Sequence, residues 1–247
     1  MSSPSATQAG AAATTLEFRD VVKEYRTGAE VVRAVNGVSL RIEPGELVAL
    51  YGPSGSGKST LLMIAAAVLS PDSGGVYVNG RDVTALSERE AAAYRMRELG
   101  FISQAIDLLE GASAVTNAAL KLYGMGMKVG PADRRVAKML EAVGLGRRLK
   151  HRPNQMSMGE RQRVMIVRAL STEPRVVLAD EPTGALDSER TTEVLELLRA
   201  VTTERQIATL LVTHDPQAAA YADRLYTLRD GALASGTNQA MPAPAAP

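Results

Sequence analysis

Apolar positions in this chain follow two rhythms, one of period two and one near 3.6, and the change between them divides it into elements. Leu16, Phe18 and Val21 alternate with Glu17, Arg19 and Asp20, so residues 16–25 read as a half-buried strand. Residues 31–35 and 38–42 read as two further short strands, closed by the turn Glu43-Pro44-Gly45. The apolar run at 46–51 predicts a buried strand, 60–69 a helix, and 73–80 a turn, a short strand and a second turn. From Ser87 the rhythm is helical, opened by the capping box Ser87-Glu88-Arg89-Glu90, and a short strand at 101–103 ends at Gln104. Residues 105–154 look helical and loop-rich, with Gly124, Gly126, Gly130 and Pro131 as breakers. A second capping box, Ser157-Met158-Gly159-Glu160, opens a helix that runs to Leu170. Strands at 175–179, 207–213 and 224–228 and a helix at 188–201 complete the pattern.

Continuous apolar strands followed by helices predict an α/β fold with a mostly parallel sheet covered on both faces. An antiparallel β subdomain precedes it, and residues 105–170 form a helical insertion. One domain is expected over 15–236. The Ser/Ala/Thr/Gly-rich 1–14 and the Ala/Pro-rich 237–247 are expected to be disordered.

One stretch carries specific chemistry. Gly52-Pro53-Ser54-Gly55-Ser56-Gly57-Lys58-Ser59-Thr60 fits the phosphate-loop pattern of a glycine, any four residues, then Gly-Lys-Ser/Thr, and it sits between a strand and a helix. Its glycines let successive N–H groups turn inward, and the helix that follows adds its positive end. Residues Ser54 to Thr60 are therefore candidate nucleotide ligands, with Lys58 reaching the β- and γ-phosphates and the Ser59 hydroxyl ligating magnesium. The strand at 175–179 ends in Asp180-Glu181. Beside a phosphate loop, the first acid is suited to holding magnesium and the second to polarising the attacking water.

Composition narrows the class without changing it. Hydrophobic residues are 45% of the 247, charged residues 22%, and the formal net charge is +1. That balance gives no reason to expect a nucleic-acid partner. With no cysteine, disulfides and thiolate metal sites are excluded. The longest apolar run, 61–69, is about half the roughly 20 residues a spanning helix needs. The first ten residues have neither the basic start nor the apolar centre of a secretory signal. If a membrane is involved, another chain must supply it.

Several motifs in order make the chain resemble the ATP-binding subunits of ABC transporters. They are the phosphate loop, Gln104 after a short strand, Met156-Ser157-Met158-Gly159-Glu160-Arg161-Gln162-Arg163, Ala179-Asp180-Glu181-Pro182-Thr183, Gly184-Ala185-Leu186-Asp187 and Val212-Thr213-His214-Asp215. Residues 151–155 and 179–187 look most like the lipoprotein-release, macrolide-export and cell-division group. The resemblance implies an ATPase that uses ATP and magnesium. It gives Tyr25 the place of an aromatic that stacks on adenine, Gln104 that of a residue reaching magnesium and water, and His214 that of a γ-phosphate contact. It also implies a head-to-tail dimer in which Ser157, Gly159 and Glu160 of one copy meet the nucleotide of another, with Asp187 linking the two sites. The implied partners are a second ATP-binding subunit and a transmembrane permease, contacted near residues 105–111, at the cytoplasmic face of the inner membrane. A regulatory ATPase that controls cell-wall enzymes through a membrane protein is the main rival reading. The chain departs from the family pattern at Met158, where glycine is usual, and at Arg161, where glutamine is common. Both bear on the rate of hydrolysis at the site this segment completes.

Overall fold

The computed structural model of the chain describes residues 16–28, 30–184, 186–234 and 239–240. The expected disordered ends, 1–14 and most of 237–247, lie outside the described residues.

Two sheets organise the fold. The first is antiparallel and contains β1 (Leu16–Thr27), β2 (Glu30–Ile42), β4 (Ser73–Val78) and β5 (Arg81–Asp82) in the order β2-β1-β4-β5. Between β2 and β4 the chain crosses to the second sheet through β3 (Leu47–Tyr51) and α1 (Lys58–Ala65). Beyond α2 (Glu88–Arg97) come β6 (Leu99–Ile102), β7 (Val176–Asp180), β8 (Ala208–Thr213) and β9 (Arg224–Arg229). In the second sheet β9, β3, β8, β7 and β6 lie side by side and all run parallel. The edge at β9 is finished by antiparallel pairing with β10 (Ala232–Leu233) and β11 (Gln239–Ala240), so two residues of the expected tail form a strand.

The helical insertion holds α3 (Ala114–Gly124), α4 (Val129–Ala142) and α5 (Met158–Leu170), which pack through Leu122, Val136, Leu140 and Val164. Helix α6 (Ser188–Glu204) and the short α7 (Pro216–Ala219) cover one face of the parallel sheet. There Leu195 and Leu198 meet Ala49 and Leu211. The opposite face buries Leu50, Leu178 and Leu210 against α1 and the antiparallel sheet. Each fully buried Leu or Val contributes roughly 1.5–3 kcal/mol.

Three local expectations are corrected. Residues 31–35 and 38–42 form one strand, β2, because irregularities in its pairing with β1 and a positive φ of 67° at Gly37 absorb the break without ending the ladder. Helix α1 stops at Ala65, four residues early, where Ala67 turns to φ 50° and leaves Val68 exposed. Gly130 and Pro131 break nothing. They occupy the first turn of α4, where the missing proline N–H has no intrahelical partner to lose.

The segment following Gln104 is tied down by one buried side chain. Asn117 on α3 is fully buried. Its Oδ1 accepts from Leu109 N–H at 2.7 Å, and its Nδ2 donates to the carbonyls of Leu109, Ala112 and Ser113 at 3.1–3.2 Å. Truncating it leaves Leu109 N–H and Ala112 O without a protein partner, while Leu109 O and Ser113 O keep the N–H groups of Ala112 and Asn117, so Asn117→Ala is expected to lower the unfolding free energy by about 2–3 kcal/mol in a urea titration.

Candidate functional site

Because the central strands are parallel and in register, their carboxyl ends open on the same side. Ile102 pairs with Ala179, Asp180 with Val212, and Tyr51 with Thr213. This is the edge at which open α/β sheets bind ligands. The segments leaving it bring together Ser54, Gly55, Gly57, Lys58, Ser59, Thr60, Gln104, Asp180, Glu181 and His214 around a cleft of about 370 Å³.

The loop at 52–57 is fixed by backbone groups far away in sequence. Gly52 donates its N–H to Thr213 O, and Gly231 donates to Ser56 O at 3.1 Å. Gly57 has φ 101°, and a Cβ there would lie 1.9 Å from Ala34 O. As the N-cap of α1 it offers no side chain, so the N–H groups of Lys58, Ser59 and Thr60 face the cleft uncapped. Leu61 N–H is the first to bond back, to Gly57 O. Ser56 is the exception among the candidate ligands 54–60: its side chain is buried and does not line the cleft.

Lys58 is 5% exposed and lies across its own loop, with Nζ donating to Gly52 O at 2.7 Å and Pro53 O at 2.8 Å. Burial pulls its pKa down, while the carboxylates of Glu181 and Asp180 hold it up. Burial also pushes Asp180 above the usual carboxylate range, and Glu181 adds to this. The Ser59 hydroxyl and Lys58 oppose it. The cleft therefore sets one buried cation against two carboxylates, a donor set short of positive charge. That set fits a hard divalent cation with oxygen ligands from Ser59, Gln104 and Asp180.

Glu181 begins a turn immediately beyond β7 in the left-handed region, at φ 45°. A glutamate there costs of order 1–3 kcal/mol, and the conformation is held by Glu181 N–H to Val212 O and Gly184 N–H to Glu181 O. The result points the carboxylate at His214, whose Nδ1 lies 2.7 Å from Glu181 Oε1. Glu181 Oε2 and Gln104 Nε2 also flank the same point beside Gly184, each 3.7 Å from where a Cβ would sit.

Comparison with known proteins decides the family. Residues 35–184 match the family described as ABC transporter. The lipoprotein-releasing system ATP-binding protein LolD 2 of Caulobacter vibrioides is 44% identical over 218 residues, covering 88% of this chain and 96% of that protein. The chain belongs to the ABC transporter family. It is an ABC ATPase. It is also 41% identical to the macrolide export ATP-binding/permease protein MacB of Marinobacter nauticus, but spans only 35% of that protein's length. Among solved structures, the ATP-binding cassette MJ0796, in a dimeric post-hydrolysis state bound to ADP and Pi, superposes with a TM-score of 0.82. It is 34% identical and covers 92% of this chain and 99% of its own.

In this ABC ATPase the remaining expected residues stand apart from the cleft. Ser157, Gly159, Glu160 and Asp187 do not line it. Ser157 caps α5 and Asp187 caps α6, where the latter accepts from Arg190 N–H and Nη1 at 3.0 and 2.8 Å. Arg190 also packs its stem against Gly159, with Cδ 3.1 Å from the position a Cβ would take. Met158, at the first position of α5, is 41% exposed. Tyr25 is 43% exposed, is not part of the cleft, and pairs with Val32. Val32 lines an adjoining groove that shares Ala34 and Gly55 with the cleft.

Sequence reasoning missed Ala34, Gly231, Arg148, which donates from Nε to Glu160 Oε1 at 2.9 Å, and Arg190. The first two act through backbone contacts that no residue type announces. The arginines matter through what they touch, and only the fold supplies that.

Proposed function

We propose that this ABC ATPase binds ATP with magnesium in the cleft between the phosphate loop and Asp180, and hydrolyses it in a head-to-tail dimer. The dimer would drive a separate transmembrane partner from the membrane surface, in export or mechanical transmission. The observation that carries the reading is the uncapped start of α1. Three free N–H groups and Lys58 converge there with Asp180, Glu181, Gln104 and His214 at one strand edge.

In this reading the N–H groups of α1 and Lys58 hold the phosphates, and Lys58 exchanges its two loop carbonyls for phosphate oxygens. Ser59, Gln104 and Asp180 would hold magnesium, which when bound neutralises phosphate charge. Glu181 accepts the proton of the attacking water, with His214 fixing the carboxylate from one side and Gln104 positioned on the other. Tyr25 stacks on the purine at the adjoining groove. Ser157 and Gly159 complete the site of a second copy, since within their own chain they are not part of the cleft. No helix among the described residues is long and apolar enough to cross a membrane.

Lys58→Ala tests the site. ATP affinity is expected to fall about 10- to 100-fold by equilibrium titration, the loss of a charge-assisted bond at a buried position. An unchanged dissociation constant would place the nucleotide elsewhere.

A further inference from the structure

The two serine capping boxes among the described residues, at Ser87 and Ser157, differ in where the serine proton goes. In α2, Glu90 Oε2 accepts from both Ser87 N–H at 3.0 Å and Ser87 Oγ at 2.5 Å, so the hydroxyl proton is consumed within the box. In α5, Glu160 Oε2 accepts only Ser157 N–H, at 2.8 Å, and Ser157 Oγ accepts Glu160 N–H at 3.2 Å. Among the described residues the Ser157 hydroxyl proton has no acceptor.

What distinguishes the second box is an arginine. Arg148 ends a 3-10 turn, Gly146–Arg148, in the connection between α4 and α5, and its Nε donates to Glu160 Oε1 at 2.9 Å. Its Nη1 lies 3.2 Å from His151 Nε2, which steadies the guanidinium from its far side. The Glu160 side chain is 17% exposed and has both oxygens engaged inside its own chain. Burial pushes its carboxyl up, and the Ser157 N–H and Arg148 hold it below the usual range nonetheless. Among the described residues Glu90 has no arginine in this position: Arg81, whose charge acts on it, pairs with Glu98 instead.

We infer that Arg148 is a positioning residue for the reaction: it holds Glu160 away from the Ser157 hydroxyl, so that Ser157 keeps a proton to donate to the γ-phosphate held by a second copy. Glu160 is then part of the support for Ser157 and not a nucleotide contact. The inference rests on the head-to-tail reading proposed above. It predicts that without Arg148 the box relaxes to the form seen at Ser87, with the hydroxyl turned onto its own glutamate.

The test uses the full chain carrying Glu181→Gln, titrated with ATP and magnesium while dimer formation is followed by sedimentation velocity. Adding Arg148→Ala is expected to raise the ATP concentration at half-dimerisation about tenfold, the worth of one hydrogen bond to a charged acceptor. Monomer affinity for ATP, measured at dilute protein, is expected to stay within twofold of the parent. Arg148→Lys is expected to recover most of the shift. On a Ser157→Ala background Arg148→Ala is expected to add nothing, because the donor it protects is gone. A full tenfold shift on that background, or no shift with Ser157 intact, overturns the inference. If Arg148→Ala loses its thermal transition, Arg148→Gln replaces it in the same cycle. Failure of the parent to dimerise with ATP removes the head-to-tail reading and this inference with it, whereas failure of the cycle alone leaves that reading standing.

Discussion

Glu181→Gln is expected to reduce the steady-state rate of phosphate release by about 10²–10⁴-fold while leaving ATP affinity within a few-fold of wild type. The amide keeps the size of the side chain and an oxygen to face His214, so the turn at φ 45° has no steric reason to change. What it loses is the ability to take a proton from water. Lys58 and the uncapped N–H groups of α1 are untouched, so binding persists. If opening depends on hydrolysis, the variant accumulates as an ATP-bound dimer. Two measurements separate this from a structural lesion: a phosphate-release assay, and an ATP titration of the same preparation. Hydrolysis within twofold of wild type would show that another group activates the water, and His214 would be the first to examine, at 2.7 Å from the same carboxylate. Loss of ATP affinity alongside the rate would instead show that Glu181 acts on the charge of the cleft.

The parts of this site that the amino-acid sequence made legible are those where residue type and local conformation coincide. Gly57 before Lys58 announces a sharp turn into a helix, and Val176 to Ala179 followed by two acids announces a buried strand with its charges at one end. Ser87 with Glu90, and Ser157 with Glu160, announce helix starts, and the structure has both. What could not be read depends on contacts between distant segments. The two β2 halves looked like separate strands because a pairing irregularity reads as a break until the partner strand is known. Pro131 looked like a stop, because only the observed start of α4 at Val129 shows it to be in a first turn. Nothing in the sequence marks Arg148. It gains meaning only when α5 is placed beside it, and the two boxes that are alike in sequence then prove unlike in hydrogen bonding.

Gly57→Ala and Gly55→Ala are expected to differ sharply although both alter the same loop. Both glycines have positive φ, 101° and 81°, so alanine at either carries a backbone penalty of roughly 1–2 kcal/mol. At Gly55 nothing lies within 4 Å of the added methyl, and that penalty is the whole effect on the free protein. At Gly57 the methyl would sit 1.9 Å from Ala34 O and 3.7 Å from the Gly231 Cα, and the first of these distances cannot be relaxed by a side-chain rotation. Either β2 must withdraw from α1 or the loop must unwind. The first opens the core where Val35 and Val38 are fully buried, and the second displaces the N–H groups of Lys58, Ser59 and Thr60. Gly57→Ala is therefore expected to destabilise the chain by at least about 3 kcal/mol in a denaturant titration and to abolish measurable ATP binding. Gly55→Ala should stay folded, with a loss of about 1–2 kcal/mol. Equal effects from the two substitutions would mean that the approach of Ala34 to Gly57 does not set the loop's shape. The uncapped helix start would then owe its exposure to something other than that contact.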